Sequence, residues 1–139
     1  MEVLKKPNRP HNAVPHRISA EEARQIALLA ASAGLEKKAL DVQIIDVRGK
    51  VDYADYLVLM TGHSDRHVAT LARSVDAELT RQGHRAISIE GLTRGEWVLI
   101  DFVDVVVHVF HVEARALYDI DGLWLDAKRV PVSSPASEP

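Results

Sequence analysis

Residues 97–124 read WVLIDFVDVVVHVFHVEARALYDIDGLW. Trp97–Ile100 and Val105–Phe110 are apolar runs rich in β-branched residues, separated by Asp101-Phe102-Val103-Asp104. Two such runs around a short connection predict an antiparallel strand pair. The second run is apolar on both parities except at His108, as in a central strand buried on both faces. Alternation sends Trp97, Leu99 and Asp101 to one side of the sheet and Val98 and Ile100 to the other. After His111 a short amphipathic helix is expected over Glu113–Tyr118, with Leu117, Ile120, Leu123 and Trp124 folding back on the core.

The chain upstream supplies the neighbours this pair needs. Ser19 and Glu22 have capping-box spacing ahead of Ile26, Leu28, Leu29, Ala30 and Ala33, which predicts a helix that Gly34 ends. Asp41–Val47 and Tyr56–Thr61 read as strands. Gly62-His63-Ser64 then makes a tight joint into a helix running to about Gln82, with Val68, Leu71, Ala72, Val75 and Leu79 on its sheet-facing side and Gly83 as its stop. Ala86–Ile89 is a further strand. The expected architecture is α/β (α+β): a mixed sheet of about five strands with helices packed on it, the two long ones on one face. That leaves the other face short of cover and available as a docking or dimerisation surface. One domain is expected over residues 18–127, between disordered tails at 1–17 and 128–139.

With 139 residues, 47% apolar and 27% charged, the composition is that of an ordinary globular domain with a real core. No run reaches the roughly 18 apolar residues of a membrane span. The first residues are basic without an apolar core of the secretory type, and there is no cysteine, so neither an export signal nor a disulfide framework is expected, and a cytoplasmic location is. Between Ala86 and Asp126, eight acids face Arg94 and Arg115, a net −6 against +3 for the remainder. A field of that sign repels phosphate and favours a basic protein, so no direct nucleic-acid binding is expected through this half. A solvated acidic rim is the blander alternative.

Gly62-x-Ser64 at a helix N-terminus, followed by strand carboxylates, has the layout of a nucleotidyltransferase. Asp101 and Asp104, three apart, would project to opposite faces of a continuous strand and more naturally bracket a turn. His63 with His67, and His108-x-x-His111 with Glu113, have spacings reminiscent of zinc ligands. His108 hydrogen-bonded near the core and His111 capping a strand end are the simpler reading. Neither metal nor other cofactor is expected.

The succession Asp55-Tyr56-Leu57-Val58, Thr61-Gly62-His63-Ser64-Asp65-Arg66-His67-Val68, Glu90-Gly91, Trp97–Asp101, Asp104–Phe110 and Glu113-Ala114-Arg115-x-x-Tyr118-Asp119-x-x-x-Leu123-Trp124 closely resembles the ribosomal silencing factor family, also called iojap-like, over residues 21–126. Asp65 stands where that family usually has serine, and Val112 where it usually has proline or glutamate. The resemblance implies a nucleotidyltransferase-like fold without the catalytic acids, and a non-enzymatic translation factor. Such a factor binds the large ribosomal subunit through large-subunit ribosomal protein fourteen and blocks joining of the small subunit when nutrients are scarce; a homodimer is also implied. On this basis Trp97 and Leu99 are the expected apolar anchors, with Glu90, Asp101 and Asp104 as acidic partners. His108 is shared between core and interface. Asp55, Arg66 and His67 read first as framework. A magnesium-dependent nucleotidyltransferase-like enzyme and a homodimeric scaffold are the alternatives.

Overall fold

A computed structural model describes residues 19–132. The expected tail at 1–17 and most of that at 128–139 lie outside these residues. The elements are α1 (Ala20–Glu36), β1 (Leu40–Asp46), β2 (Tyr56–Gly62), α2 (Asp65–Arg81), β3 (Ser88–Glu90), β4 (Trp97–Asp101), β5 (Val105–His111), α3 (Val112–Tyr118), α4 (Ile120–Leu123) and β6 (Lys128–Val130). The sheet order is β3-β4-β5-β2-β1-β6. All neighbours run antiparallel except β2 and β5, which are parallel from Tyr56↔Val105 to Gly62↔His111.

Both long helices lie on one face, as expected. Ser19 Oγ accepts from Glu22 N at 3.1 Å to start α1, and Ser64 Oγ accepts from His67 N at 3.1 Å to start α2. The core beneath them joins Ile26, Ala27 and Ala30 to Val68, Leu71, Val75 and Leu79 over Ile44, Val58, Met60, Val98, Ile100, Val107 and Val109. α2 ends as the sequence predicts: Gly83, at φ +92°, donates to Thr80 O, and His84 N donates to Leu79 O. Gly34 does not end α1. The helix runs on to Glu36, and Lys38 takes the left-handed position at φ +67° while Ala39 N donates to Gly34 O. Gly34 is small because a Cβ there would stand 2.6 Å from Met60 Sδ.

The opposite face is better covered than expected. Ile45, Leu57, Leu59, Val106 and Phe110 form a second core with Ile120, Ala127 and Ala54, against which Trp97 and Leu99 of the same sheet face, Trp124 and Tyr53 pack. Part of that cover comes from the chain after β5, which crosses the sheet to reach its far edge. There Lys128–Val130, assigned to the C-terminal tail on sequence, forms β6 against Ile44–Asp46. The reason is local: the edge of β1 offers unpaired backbone groups, and Val130 fills the core on the helical side. Leu117 and Leu123 were expected to fold back and do not; they are 76% and 51% exposed.

Candidate functional site

Strand alternation places the site. Trp97 and Leu99 face the second side of the sheet, half-buried, while Val98 and Ile100 are buried under the helices. Trp97 packs between Phe110 on the neighbouring strand, at 4.7 Å between centroids, and Tyr118 at the end of α3, at 4.6 Å. Its indole N–H donates to His108 Nδ1 at 3.1 Å. Burial pushes the His108 imidazole down to about 3, with the charge of Arg115 adding to the effect. The ring is therefore neutral, and its bare Nδ1 is the acceptor the indole needs.

Beside the indole lies a cleft of about 270 Å³ between α3 and the β3–β4 loop, lined by Trp97, Tyr118, Leu117, Ala114 and His111, with Glu96, Glu113 and Arg94 at its mouth. An apolar centre with aromatic members and a charged rim is the anatomy of a protein-docking surface. Leu117, Tyr118, Glu96 and Glu113 were not assigned to the site on sequence. The spacing of Glu113 and Leu117, one helical turn apart, could have placed them together on one side of α3.

α3 is held by a buried cation. Arg115 donates through Nε and Nη2 to the Asp121 carboxylate at 3.0 and 2.8 Å, and through Nη1 to Thr61 Oγ1 at 2.9 Å and the Asp41 carbonyl at 2.5 Å. It thus ties α3 to α4, β1 and β2. The guanidinium holds the Asp121 carboxyl below its usual range.

The sequence-predicted residues divide. Glu90 is exposed, on edge strand β3 and directly opposite half-buried Leu99. His108 is 5% exposed and belongs to the packing beneath Trp97. Asp101 and Asp104, expected as acidic partners, are 1% and 2% exposed. They build the β4–β5 turn. Asp101 Oδ1 accepts from Val103 N at 2.8 Å, and the Asp104 backbone bonds to Phe102 O and accepts from Asp55 N. Val103 sits at φ +80°, a conformation that a β-branched residue adopts only when its surroundings impose it.

The same turn bears on catalysis. Asp104 O bonds to Tyr56 N at the start of β2, whereas Ser64 follows the end of β2, about 20 Å away along a seven-residue strand. The two carboxylates and the Gly62-x-Ser64 helix start therefore lie at opposite ends of the sheet, so they do not converge on one phosphate. The histidine pairs are also committed to structure. His67 Nδ1 accepts from His63 N at 2.9 Å, so Nε2 carries the proton donated to Lys37 O at 2.8 Å. His111 Nδ1 accepts from Glu113 N at 3.2 Å and caps α3. Among the described residues no three His, Cys, Asp or Glu side chains gather as a metal set.

These features define a small mixed α/β domain with an aromatic cleft, rimmed by charged side chains, on the side of the sheet away from its long helices. The family model described as "Ribosomal silencing factor during starvation" matches residues 20–139. The chain belongs to the ribosomal silencing factor family. It is 38% identical over 104 residues to the ribosomal silencing factor of Bacillus subtilis, covering 75% of this chain and 88% of that one. It is also 28% identical over 92 residues to a Mus musculus protein named for mitochondrial assembly of the ribosomal large subunit, covering 64% of this chain and 40% of that protein. A crystal structure of a Chromobacterium violaceum protein, 32% identical, superposes with a TM-score of 0.70, covering 88% of this chain and 98% of that one.

Proposed function

We propose that this chain represses translation by docking, through the Trp97–Tyr118 cleft, on large-subunit ribosomal protein fourteen, so that the small subunit cannot join. The observation that carries this reading is the cleft itself. Two half-buried aromatic rings and the 76% exposed Leu117 stand within a rim that includes Glu96 and Glu113. Aromatic anchors concentrate binding energy, and a rim of Glu96 and Glu113 against Arg94, which pairs with Glu96, keeps a net negative charge that favours a basic partner such as a ribosomal protein. The mouse relative's name connects the family to the large subunit. In this reading the protein is cytoplasmic, acts under nutrient limitation, and has no catalytic step, cofactor or metal. Glu90 and Leu99 extend the contact along the β3–β4 edge.

A second reading, self-association, is favoured by Leu117, Leu123 and Leu125, which are 76%, 51% and 80% exposed after β5. Pairing two copies would remove this apolar surface from water. If it overlaps the cleft, the dimer would be a storage form that gives way to the docked one.

Co-sedimentation with isolated large subunits, small subunits and joined ribosomes tests the docking reading. Selective pelleting with large subunits, with loss of joined particles as protein is added, is expected. Equal pelleting with small subunits, or none, would overturn it.

A further inference from the structure

We propose a second site on the other side of the β3–β4 loop: a cationic cleft in which Arg66, Arg73 and Arg94 bind the phosphodiester backbone of RNA. The cleft, about 260 Å³, lies between α2 and residues 92–95. Arg66 and Arg73 are seven apart on α2, hence on one side of the helix two turns apart. Both are exposed, and among the described residues neither forms an ion pair.

The loop that brings Arg94 to them is built to hold it there. Gly95 N donates to Gly91 O at 3.1 Å, closing the loop, and both glycines have positive φ, +68° and +89°. Gly95 packs so tightly on α2 that a Cβ would lie 2.9 Å from the Cβ and carbonyl oxygen of Asp65. Two acids contact residues of this cluster. The Asp65 carboxylate accepts from Arg66 N at 2.8 Å, and Glu96 lies 3.3 Å from Arg94. Of the residues that line the cleft, three are arginines and one, Asp65, is acidic, so the lining itself carries an excess of positive charge.

The lining decides the ligand. No aromatic ring borders the cleft, and its one large apolar residue, Leu92, packs on the core. A free nucleotide would find no surface on which to stack its base, whereas backbone phosphates need only the charges and donors present. Arg94 also lines the Trp97 cleft, so the two sites are continuous. The choice of RNA as the source of phosphate rests on the docking reading above, since a ribosomal protein engaged at Trp97 would bring neighbouring RNA over the arginines. The cleft draws Leu92, Thr93, Arg94 and Gly95 from the acidic half, but its only lining acid is Asp65, so the repulsion of phosphate expected of that half is offset here by Arg66 and Arg73 from α2 and by Arg94 itself.

Fluorescence anisotropy of the full chain with a labelled single-stranded RNA 12-mer, repeated across a salt series, tests the site. The expected result is linear loss of log affinity with log salt, and a slope shallower by about 1.4 in the Arg66→Gln/Arg73→Gln double variant, two phosphate contacts at about 0.7 each. Affinity at low salt should fall roughly tenfold or more. An unchanged slope would overturn the proposal. So would displacement of the RNA by equimolar ATP, which would make this a site for small phosphorylated ligands. Co-sedimentation of Trp97→Ala with large subunits separates the two readings: undiminished pelleting removes the docking assignment and leaves the RNA result standing.

Discussion

The indole N–H of Trp97 donates to Nδ1 of His108 across the β4–β5 ladder, at 3.1 Å. Trp97 pairs with Phe110 and Leu99 with His108, so this is a diagonal contact on one face of an antiparallel pair. It links the side chain at the proposed docking cleft to a buried group whose charge state depends on the fold.

That linkage makes stability pH-dependent in a definite direction. His108 takes a proton near 6.5 when unfolded but only near 3 when folded. Between those values the unfolded chain binds more protons, so the contribution is complete above pH 6.5 and is lost as pH falls. The slope approaches about 1.4 kcal/mol per pH unit. Urea denaturation at pH 7.5 and pH 5 should show the loss, and His108→Gln should flatten it. Equal slopes in both proteins would refute this assignment.

Trp97 has separable duties. Trp97→Phe keeps a ring against Phe110 and Tyr118 but loses part of the indole's packing and leaves His108 Nδ1 without its donor, about 1–3 kcal/mol of stability. Trp97→Ala should weaken large-subunit binding by about 2 kcal/mol or more, roughly thirtyfold in Kd, while the phenylalanine variant retains most of it. Sedimentation titrations at a temperature where both variants are folded would reveal the difference.

Arg115 should be the costliest side chain on α3 to remove. Arg115→Met strands Asp121 and deprives Thr61 and the Asp41 carbonyl of their donor, an expected loss of about 3 kcal/mol in denaturant midpoint analysis. Arg115→Lys should recover only part of it, because an ammonium cannot reproduce the two-pronged bond to the carboxylate. Full stability in the lysine variant would show that the fork geometry is unimportant.

Asp101 and Glu90 should behave oppositely. Asp101→Ala takes the acceptor from Val103 N in a strained turn and should cost about 1–2 kcal/mol of stability. Glu90→Ala, exposed on the edge strand, should leave stability within about 0.5 kcal/mol and lower the rate of association with large subunits at low salt. Thermal melts and stopped-flow association read the two effects separately.

Much of the fold was legible because it follows from periodicity. The α2 stripe, both helix starts, the buried β2 and β5 runs and the parity of Trp97 all depend on spacing within one element. What escaped depends on other elements. Lys128-Arg129-Val130 carries no strand signal and becomes β6 only because the edge of β1 is open. Asp101 and Asp104 look like surface charges until the β4–β5 turn buries them. Leu117 looks like core, yet Arg115 pins α3 with that side chain outward. For the candidate site, a tryptophan among acids could be read, but its partners could not, since Tyr118 meets Trp97 only once the chain has turned back over the sheet.

The lone parallel pairing, β2 with β5, has a consequence for how the protein comes into being. The partners lie some fifty residues apart, and everything between them, α2 and the β3–β4 hairpin included, must be threaded before the sheet closes. Such distant closure is slow relative to local contacts. During synthesis β2, buried along its whole length in the finished fold, has no partner on that side until β5 has been made. A chain cut anywhere between them would present one apolar strand edge to solvent, so the domain is acquired whole or not at all, and a factor proposed to restrain ribosomes must first be carried nearly to its end by one.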